Sequence, residues 1–99
     1  MVEDDGATPA VVVNELEQRF ELWAGGRLAV LDYVRRGERI YLVHTEVPEE
    51  IERRGYGSAL ARAALEHARR ERLRVVPSCP FVRAFIESHP EYAELRADD

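Results

Sequence analysis

A predicted strand, a turn with two glycines and a predicted helix follow one another in the middle of this chain, and no other feature limits its fold as strongly. Residues 40–47 are mostly apolar and suit a strand, and residues 58–71 suit a helix. Between them stands the sequence Arg53-Arg54-Gly55-Tyr56-Gly57. A helix that begins after such a turn presents unpaired backbone N–H groups and the positive end of its dipole to an anion. Arginine adds charge and forked donors that suit phosphate, so the segment predicts a pyrophosphate-binding loop.

Two better-known phosphate loops do not match this turn. No Gly-Lys-Ser/Thr sequence follows it, which excludes a Walker loop, and no glycine stands at position 60, which excludes the Rossmann fingerprint. The alternative to anion binding is a purely structural turn in which glycine supplies a positive φ. The preceding strand, the arginines and the following helix together favour anion binding.

Charge and cysteine content narrow the class of protein. The 99 residues carry a formal net charge of −5, which argues against a nucleic-acid partner. Cys79 is the only cysteine, which excludes an internal disulfide and fits a reducing compartment. This cysteine and three scattered histidines lack metal-ligand spacing, so no metal site is predicted. Because no apolar run approaches the ~20 residues of a membrane span and the acidic N-terminus lacks a signal core, we expect a cytoplasmic protein without a membrane partner.

The chain length predicts a single domain over residues 1–99, with residues 1–9 as a loose flexible tail. The hydrophobic pattern predicts strands over residues 11–13, 19–23, 28–34, 40–47 and 73–76, and helices over 58–71 and 80–89. One more turn is expected around Tyr92 and Leu95. This order predicts an α/β (α+β) fold: a mixed sheet with an antiparallel N-terminal meander, one right-handed parallel β-α-β crossover and a C-terminal helix.

Periodicity also assigns side chains to faces. Regular alternation over residues 40–47 predicts one face with Ile40, Leu42, His44 and Glu46 and the other with Tyr41, Val43, Thr45 and Val47. Helical spacing predicts a packing stripe on the first helix, made of Tyr56, Leu60, Ala63, Ala64, His67 and Ala68. The second helix is expected to have an apolar face made of Phe81, Val82, Phe85 and Ile86.

Three short blocks resemble the GNAT N-acetyltransferase superfamily, and more narrowly its minimal single-domain subfamily. They are residues 44–48 (HTEVP), 53–60 (RRGYGSAL) and 76–81 (VPSCPF). The resemblance implies a GNAT-like fold, acetyl-CoA as the cofactor, and N-acetyl transfer to a primary amine on an unidentified small molecule or peptide. No segment between the early strands is long enough for the two helices that shape the acceptor site of larger GNAT enzymes. A non-catalytic acyl-CoA-binding module is therefore the alternative, and a small interaction domain without a ligand is a third interpretation.

The resemblance also implies which residues hold CoA. The backbone from Thr45 to Val47 pairs with the pantetheine arm, and the strand over residues 73–76 diverges to open a wedge for it. The residues that wrap the pyrophosphate are Arg53, Arg54, Gly55, Tyr56, Gly57 and Ser58. The superfamily usually has Gln or Arg three residues before the first glycine of this loop, where this chain has Glu52. We therefore expect backbone N–H groups and the two arginine side chains to bind the phosphate.

Cys79 is the first candidate for chemistry. It precedes Pro80 at a predicted helix start, where the helix dipole acidifies a thiol and favours the nucleophilic thiolate. The resemblance implies that Cys79 lies beside the acetyl group, where it either accepts that group covalently or lines its pocket. The alternative is a small buried hydrophobic residue, which free cysteine commonly is.

His44 and Glu46 are rival candidates for the catalytic base, because both lie on the strand expected to flank the acetyl group. A neutral His44 could take a proton from an incoming ammonium group or from Cys79. Many GNAT enzymes place a glutamate base on this strand, which makes Glu46 the rival. The alternative for His44 is a satisfied histidine on a half-buried strand.

Overall fold

A computed structural model describes residues 8–97, so most of the predicted N-terminal tail lies outside the described residues. Five strands and two α-helices follow in the predicted order. They are β1 (Val11–Asn14), β2 (Arg19–Ala24), β3 (Arg27–Arg36), β4 (Arg39–Glu46), α1 (Tyr56–Glu71), β5 (Arg74–Pro77) and α2 (Pro80–Ser88). Short 3₁₀ helices occupy Glu49–Ile51 and Pro90–Leu95, and the second of these is the extra turn expected around Tyr92 and Leu95.

The strands form one mixed sheet in sequence order. Each pair from β1 to β4 is antiparallel, and β4 pairs with β5 in parallel across the connection that contains α1. The β2–β3 turn shows why the meander forms. Gly25 and Gly26 both have positive φ, 57° and 75°, as a two-residue turn matched to the twist of a hairpin requires. The predicted mixed sheet with an antiparallel N-terminal meander is confirmed.

Both helices pack on one face of the sheet. The hydrophobic core contains Phe20, Leu22, Leu31, Ile40, Leu42 and Val75 from the sheet, and Leu60, Ala64, Leu65, Val82, Phe85 and Ile86 from the helices. The opposite face of the sheet, called the open face below, carries Val12 and Trp23, which are 52% and 57% exposed. Within residues 8–97 no helix covers that face.

A β-bulge interrupts the alternation of side chains along β4. Tyr33 of β3 pairs with Leu42, but the next residue back on β3, Asp32, pairs with His44. Val43 therefore has no partner on β3, and two residues of β4 occupy the space of one. A bulge of this kind shifts every following side chain to the other face, because the side-chain period of a strand is two.

The faces predicted by regular alternation are therefore wrong beyond Val43, which stays on the face of Tyr41 as predicted. Thr45 pairs with Leu31, which is fully buried, so its side chain points to the helix-covered face. His44 and Glu46 pair with Asp32 and Val30 and point to the open face. The two candidate bases thus remain on one face, as predicted, but on the face opposite to Ile40 and Leu42.

The predicted helix faces need smaller corrections. The fully buried side chains of α1 are Leu60, Ala61, Ala64, Leu65 and Ala68, so the stripe is rotated away from Ala63 and His67, which are half-buried. On α2, Val82, Phe85 and Ile86 are buried as expected. Phe81 is 43% exposed and is not a core residue.

Candidate functional site

The parallel pair β4–β5 ends before β4 does. The pairing holds along all of β5 and stops at Leu42 and Pro77, after which the N–H of Cys79 donates to the carbonyl of Leu42 at 2.9 Å. From His44 to Glu46, β4 is paired with β3 along one edge only, and within residues 8–97 no strand occupies its other edge. We call this opening between β4 and the start of α2 the notch. It begins after Pro77, so the prediction that residues 73–76 themselves diverge is wrong by a few residues.

The segment before α1 has the conformation expected of an anion-binding turn. Gly55 is the N-cap residue with a φ of 82°, and Arg53 also lies in the left-handed region, at 66°. The first helical hydrogen bond runs from the N–H of Ala59 to the carbonyl of Gly55, at 2.9 Å. The N–H groups between these two residues have no helical acceptor, no side chain caps them, and the first turn contains no acidic residue. The positive end of the α1 dipole is therefore not neutralised from within the helix.

Glycine is required at the two positions of the turn for different physical reasons. Gly55 supplies a backbone conformation that other residues adopt only with strain. Gly57 has ordinary helical geometry, but a Cβ atom there would lie 3.1 Å from Cζ of Phe81. Gly57 therefore lets α1 and the start of α2 approach each other closely.

A groove of about 320 Å³ lies at this turn. It is lined by Val47, Glu52, Arg53, Gly55, Tyr56, Gly57, Ser58 and Phe81. Six of these eight residues are predicted CoA-binding residues, and Val47 and Phe81 connect the groove to the two sides of the notch. A larger groove of about 610 Å³ runs along α1 and shares Gly55 and Ser58 with the first. We place the candidate site in the smaller groove because its lining includes Val47, directly after β4, and Phe81 of α2, and the lining of the larger one includes neither.

Thr45, Arg54 and Cys79 are predicted CoA-binding residues that do not line this groove. Arg53 and Arg54 are both exposed, and neither forms an ion pair with another residue in the described part of the chain. Glu52 does line the groove, so the departure from the usual loop sequence falls inside the candidate site. Positive charge at this turn therefore comes from the two arginine side chains and from the helix end.

Cys79 lies at the inner end of the notch and is the N-cap residue of α2. It is only 4% exposed, and its Sγ lies 3.4 Å from Oγ1 of Thr45. Burial raises the pKa of this thiol, but hydrogen bonds from the Thr45 hydroxyl and from the backbone N–H groups of Val82, Phe81 and Thr45 outweigh burial, so the pKa lies below its usual value. The thiolate fraction of Cys79 is therefore larger than that of an ordinary cysteine at the same pH, and the thiolate is the form that attacks carbonyl carbon.

His44 and Glu46 form a separate, exposed pair on the open face. Nε2 of His44 lies 3.7 Å from Oε1 of Glu46, and the two side chains are 60% and 72% exposed. The backbone of β4 separates them from Cys79, whose contact on this strand is Thr45. Either side chain can exchange a proton with a molecule that approaches from the open face, and neither contacts the thiol.

Two features of the site were not predicted from the sequence. The side chain of Thr45 faces the thiol only because of the bulge at Val43, and alternation alone predicted no such contact. Phe81 was expected in the core because its spacing matches that of its buried neighbours. Its position opposite Gly57 keeps it at the groove, and a glycine that needs no positive φ is the one signal that could have indicated such a close approach.

The comparisons with known proteins agree with this arrangement. Residues 19–95 match the sequence profile of the family described as GCN5-related N-acetyl-transferase, and the chain belongs to that family. Its fold resembles the NMR solution structure of a GCN5-like protein from Staphylococcus aureus, with a TM-score of 0.71 and 25% identity over 94% of this chain and 92% of the other. Membership of this family and the GNAT-like fold confirm the resemblance seen in the three sequence blocks.

Curated relatives share a shorter region. Protein NATD1 of Bos taurus is 41% identical over 63 residues, and protein NATD1 of Homo sapiens is 38% identical over 63 residues. These regions cover 63% of this chain and 56% of each relative, so the chain matches little more than half the length of these relatives. The name NATD1 does not state an acceptor.

Within residues 8–97, no helix is long and apolar enough to cross a membrane. No group of three or more His, Cys, Asp or Glu side chains in the same range is arranged to hold a metal ion.

Proposed function

We propose that this chain is an N-acetyltransferase that carries the acetyl group of acetyl-CoA to a primary amine. The observation that carries the proposal is the uncapped N-terminus of α1, which opens onto a groove beside the notch between β4 and α2. An anion-binding helix end and an unpaired strand edge are what a long ligand with a phosphate group and two amides requires. Family membership supports the same assignment.

The residues of the groove fit CoA part by part. Backbone N–H groups of Tyr56, Gly57 and Ser58 suit the pyrophosphate, and Arg53 and Arg54 can add charge-assisted hydrogen bonds. The free edge of β4 at Thr45 and Glu46, with Val47 directly after it, offers backbone groups to the pantetheine amides, in the manner of an added strand. Val47 and Phe81 supply the apolar walls between these two parts.

When bound, acetyl-CoA supplies an acetyl group activated as a thioester. In one route, Sγ of Cys79 attacks the carbonyl carbon. The new S–C bond forms as the bond to the CoA sulfur breaks, and CoA leaves as a thiolate that takes up the proton lost by Cys79. The amine then attacks acetyl-Cys79, which forms the amide and restores the thiolate. In the other route, the amine attacks the thioester directly and Cys79 lines the acetyl pocket.

Both routes need a base for the incoming ammonium group, because only the neutral amine is nucleophilic. His44 and Glu46 are the proposed bases, since they lie next to the notch on the face of the sheet that the helices leave open. Their mutual distance of 3.7 Å would let one accept a proton while the other stabilises the resulting charge. The acceptor would then approach from the open face.

Binding is tested by thermal unfolding with and without acetyl-CoA. A ligand present at about a hundred times its dissociation constant stabilises the native state by about 2.7 kcal/mol, which corresponds to a rise of roughly 10 °C or more in Tm for a domain of this size. Propionyl-CoA and free CoA are the matched ligands, and pantetheine without phosphate is the control expected to bind weakly. No shift with any CoA compound at millimolar concentration would overturn the proposal.

Chemistry at Cys79 is tested by mass spectrometry of the intact protein after it is mixed with acetyl-CoA. Because the chain has one cysteine, an acetyl adduct that is absent in Cys79→Ala identifies the covalent route. Turnover that survives in Cys79→Ala but is lost in His44→Ala or Glu46→Gln identifies direct transfer. Each base variant is compared with Val43→Ala, which changes the exposed bulge without removing an ionisable group.

A second candidate function is a non-catalytic acyl-CoA-binding module. The observation that favours it is the open face, which within residues 8–97 has no covering element to enclose an acceptor. This alternative predicts tight CoA binding and no turnover with small amines, polyamines, peptide N-termini or lysine peptides. Turnover with any of these acceptors would exclude it.

A further inference from the structure

The contact between Thr45 and Cys79 joins two segments that are 34 residues apart in the sequence. The Thr45 hydroxyl oxygen lies 3.4 Å from Sγ of Cys79, within hydrogen-bond distance for sulfur, and either atom can be the donor while the thiol is neutral. The contact exists because the bulge at Val43 turns Thr45 toward the helix-covered face. A strand with regular alternation would have placed His44 there instead.

The hydroxyl completes a set of donors around the sulfur. Backbone interactions with Thr45, Phe81 and Val82 also lower the pKa of the thiol, the last two from the first turn of α2. The charged groups of the neighbouring elements are directed elsewhere. Arg83 of α2 donates to the carbonyl of Pro77, and His44 and Glu46 of β4 project from the open face.

We propose that Thr45 is a positioning residue for Cys79: its hydroxyl donates a hydrogen bond to the thiolate and holds Sγ toward the notch. The proposal rests on the proposed function for the role of Cys79 in acetyl transfer, but the hydrogen bond itself does not. A thiolate has no proton to give, so once Cys79 ionises the hydroxyl must be the donor. Threonine suits this role because its β-branched side chain has few rotamers and keeps the hydroxyl in place.

The test is a pH titration of the single cysteine in the wild type and in Thr45→Val. The NMR chemical shift of the cysteine β-carbon monitors the titration. Valine keeps the shape of threonine and removes the hydroxyl. We expect the titration midpoint to rise, so that the thiolate population near neutral pH falls about tenfold. A factor of this size corresponds to the usual free energy of a hydrogen bond to a charged group. The rate of alkylation by iodoacetamide at neutral pH is expected to fall by a similar factor.

Two further variants separate positioning from a general effect on the fold. Thr45→Ser keeps a hydroxyl and is expected to restore the wild-type midpoint. Ser78→Ala removes an exposed hydroxyl beside Cys79 that makes no contact with Sγ, and is expected to leave the midpoint unchanged. If Thr45→Val does not fold, Thr45→Ala replaces it, because alanine fits any site that holds threonine without a steric clash.

An unchanged midpoint in Thr45→Val, or an equal rise in Thr45→Ser, would overturn the inference. These titrations contain no CoA, so their outcome does not depend on the proposed function. If acetyl-CoA fails to bind the wild type while the Thr45→Val midpoint rises, the proposed function fails and the hydrogen bond stands. If acetyl-CoA binds and the midpoint does not move, only the role of Thr45 fails.

Discussion

The N-termini of α1 and α2 are built from the same backbone groups but occupy opposite environments. Neither has a side-chain cap. At α1 the chain enters through an exposed glycine with two exposed arginines nearby, whereas at α2 it enters through a buried cysteine followed by proline. The exposed end suits a ligand that brings its own charge from solvent, and the buried end favours charge on the protein's own sulfur. The difference teaches that uncapped helix ends can serve different anions: one is open to an anion from solvent, and at the other hydrogen bonds to the protein's own sulfur outweigh the cost of burial.

The largest expected effect comes from removing charge at the exposed end. In the double variant Arg53→Ala/Arg54→Ala, we expect acetyl-CoA affinity to fall about tenfold to a hundredfold, because hydrogen bonds between charged groups contribute about 1.5–3 kcal/mol each and exposure weakens them. Isothermal titration calorimetry measures the change. The control, Arg70→Ala/Arg72→Ala, removes the same charge at the other end of α1 and should bind nearly as tightly as the wild type. Equal losses in both variants would mean that net charge matters and the loop does not.

The two glycines of the turn are expected to respond differently to alanine. Gly55→Ala forces a side chain into the left-handed region and should lower the free energy of unfolding by about 1–2 kcal/mol. Gly57→Ala places a Cβ atom 3.1 Å from Cζ of Phe81, so the ring must shift by a few tenths of an ångström, and Phe81→Leu in the same chain should raise the stability of the alanine variant. Urea denaturation of the single and double variants measures both effects. If Phe81→Leu does not improve the stability of Gly57→Ala, close packing is not the reason for that glycine.

The smallest effect concerns the buried helix end. Because the pKa of Cys79 is depressed in the folded state, its thiolate contributes stability above the unfolded-state pKa of about 8.5, and that contribution is lost as the pH falls through the folded-state pKa. The stability of the wild type relative to Cys79→Ala should therefore increase as the pH rises from neutral to about 9. Urea denaturation of both proteins across this range measures it. A constant difference would show that the buried end does not favour the thiolate.

The sequence predicted the exposed helix end better than the buried one because the information for the first is local. Glycine, arginine and a following helix are neighbours in the chain, and α1 begins at Tyr56, two residues before the predicted start. The contact between Thr45 and Cys79 depends on a bulge on one strand and a turn 34 residues later. A bulge has no reliable signal in one sequence, since Val43 is an ordinary strand residue. Alternation therefore assigned His44 and Thr45 to the wrong faces, although every strand was predicted.

The most direct test of the account is the backbone amide NMR spectrum of the protein during titration with acetyl-CoA. We expect the largest chemical-shift changes at Tyr56, Gly57 and Ser58, where the free N–H groups of α1 would meet the pyrophosphate, and at residues 45–47, where the free edge of β4 would pair with pantetheine. The amides of β1 and of the β2–β3 turn should not change. Absence of any change, or changes confined to β1 and that turn, would contradict the claim that this loop and notch form the acetyl-CoA site.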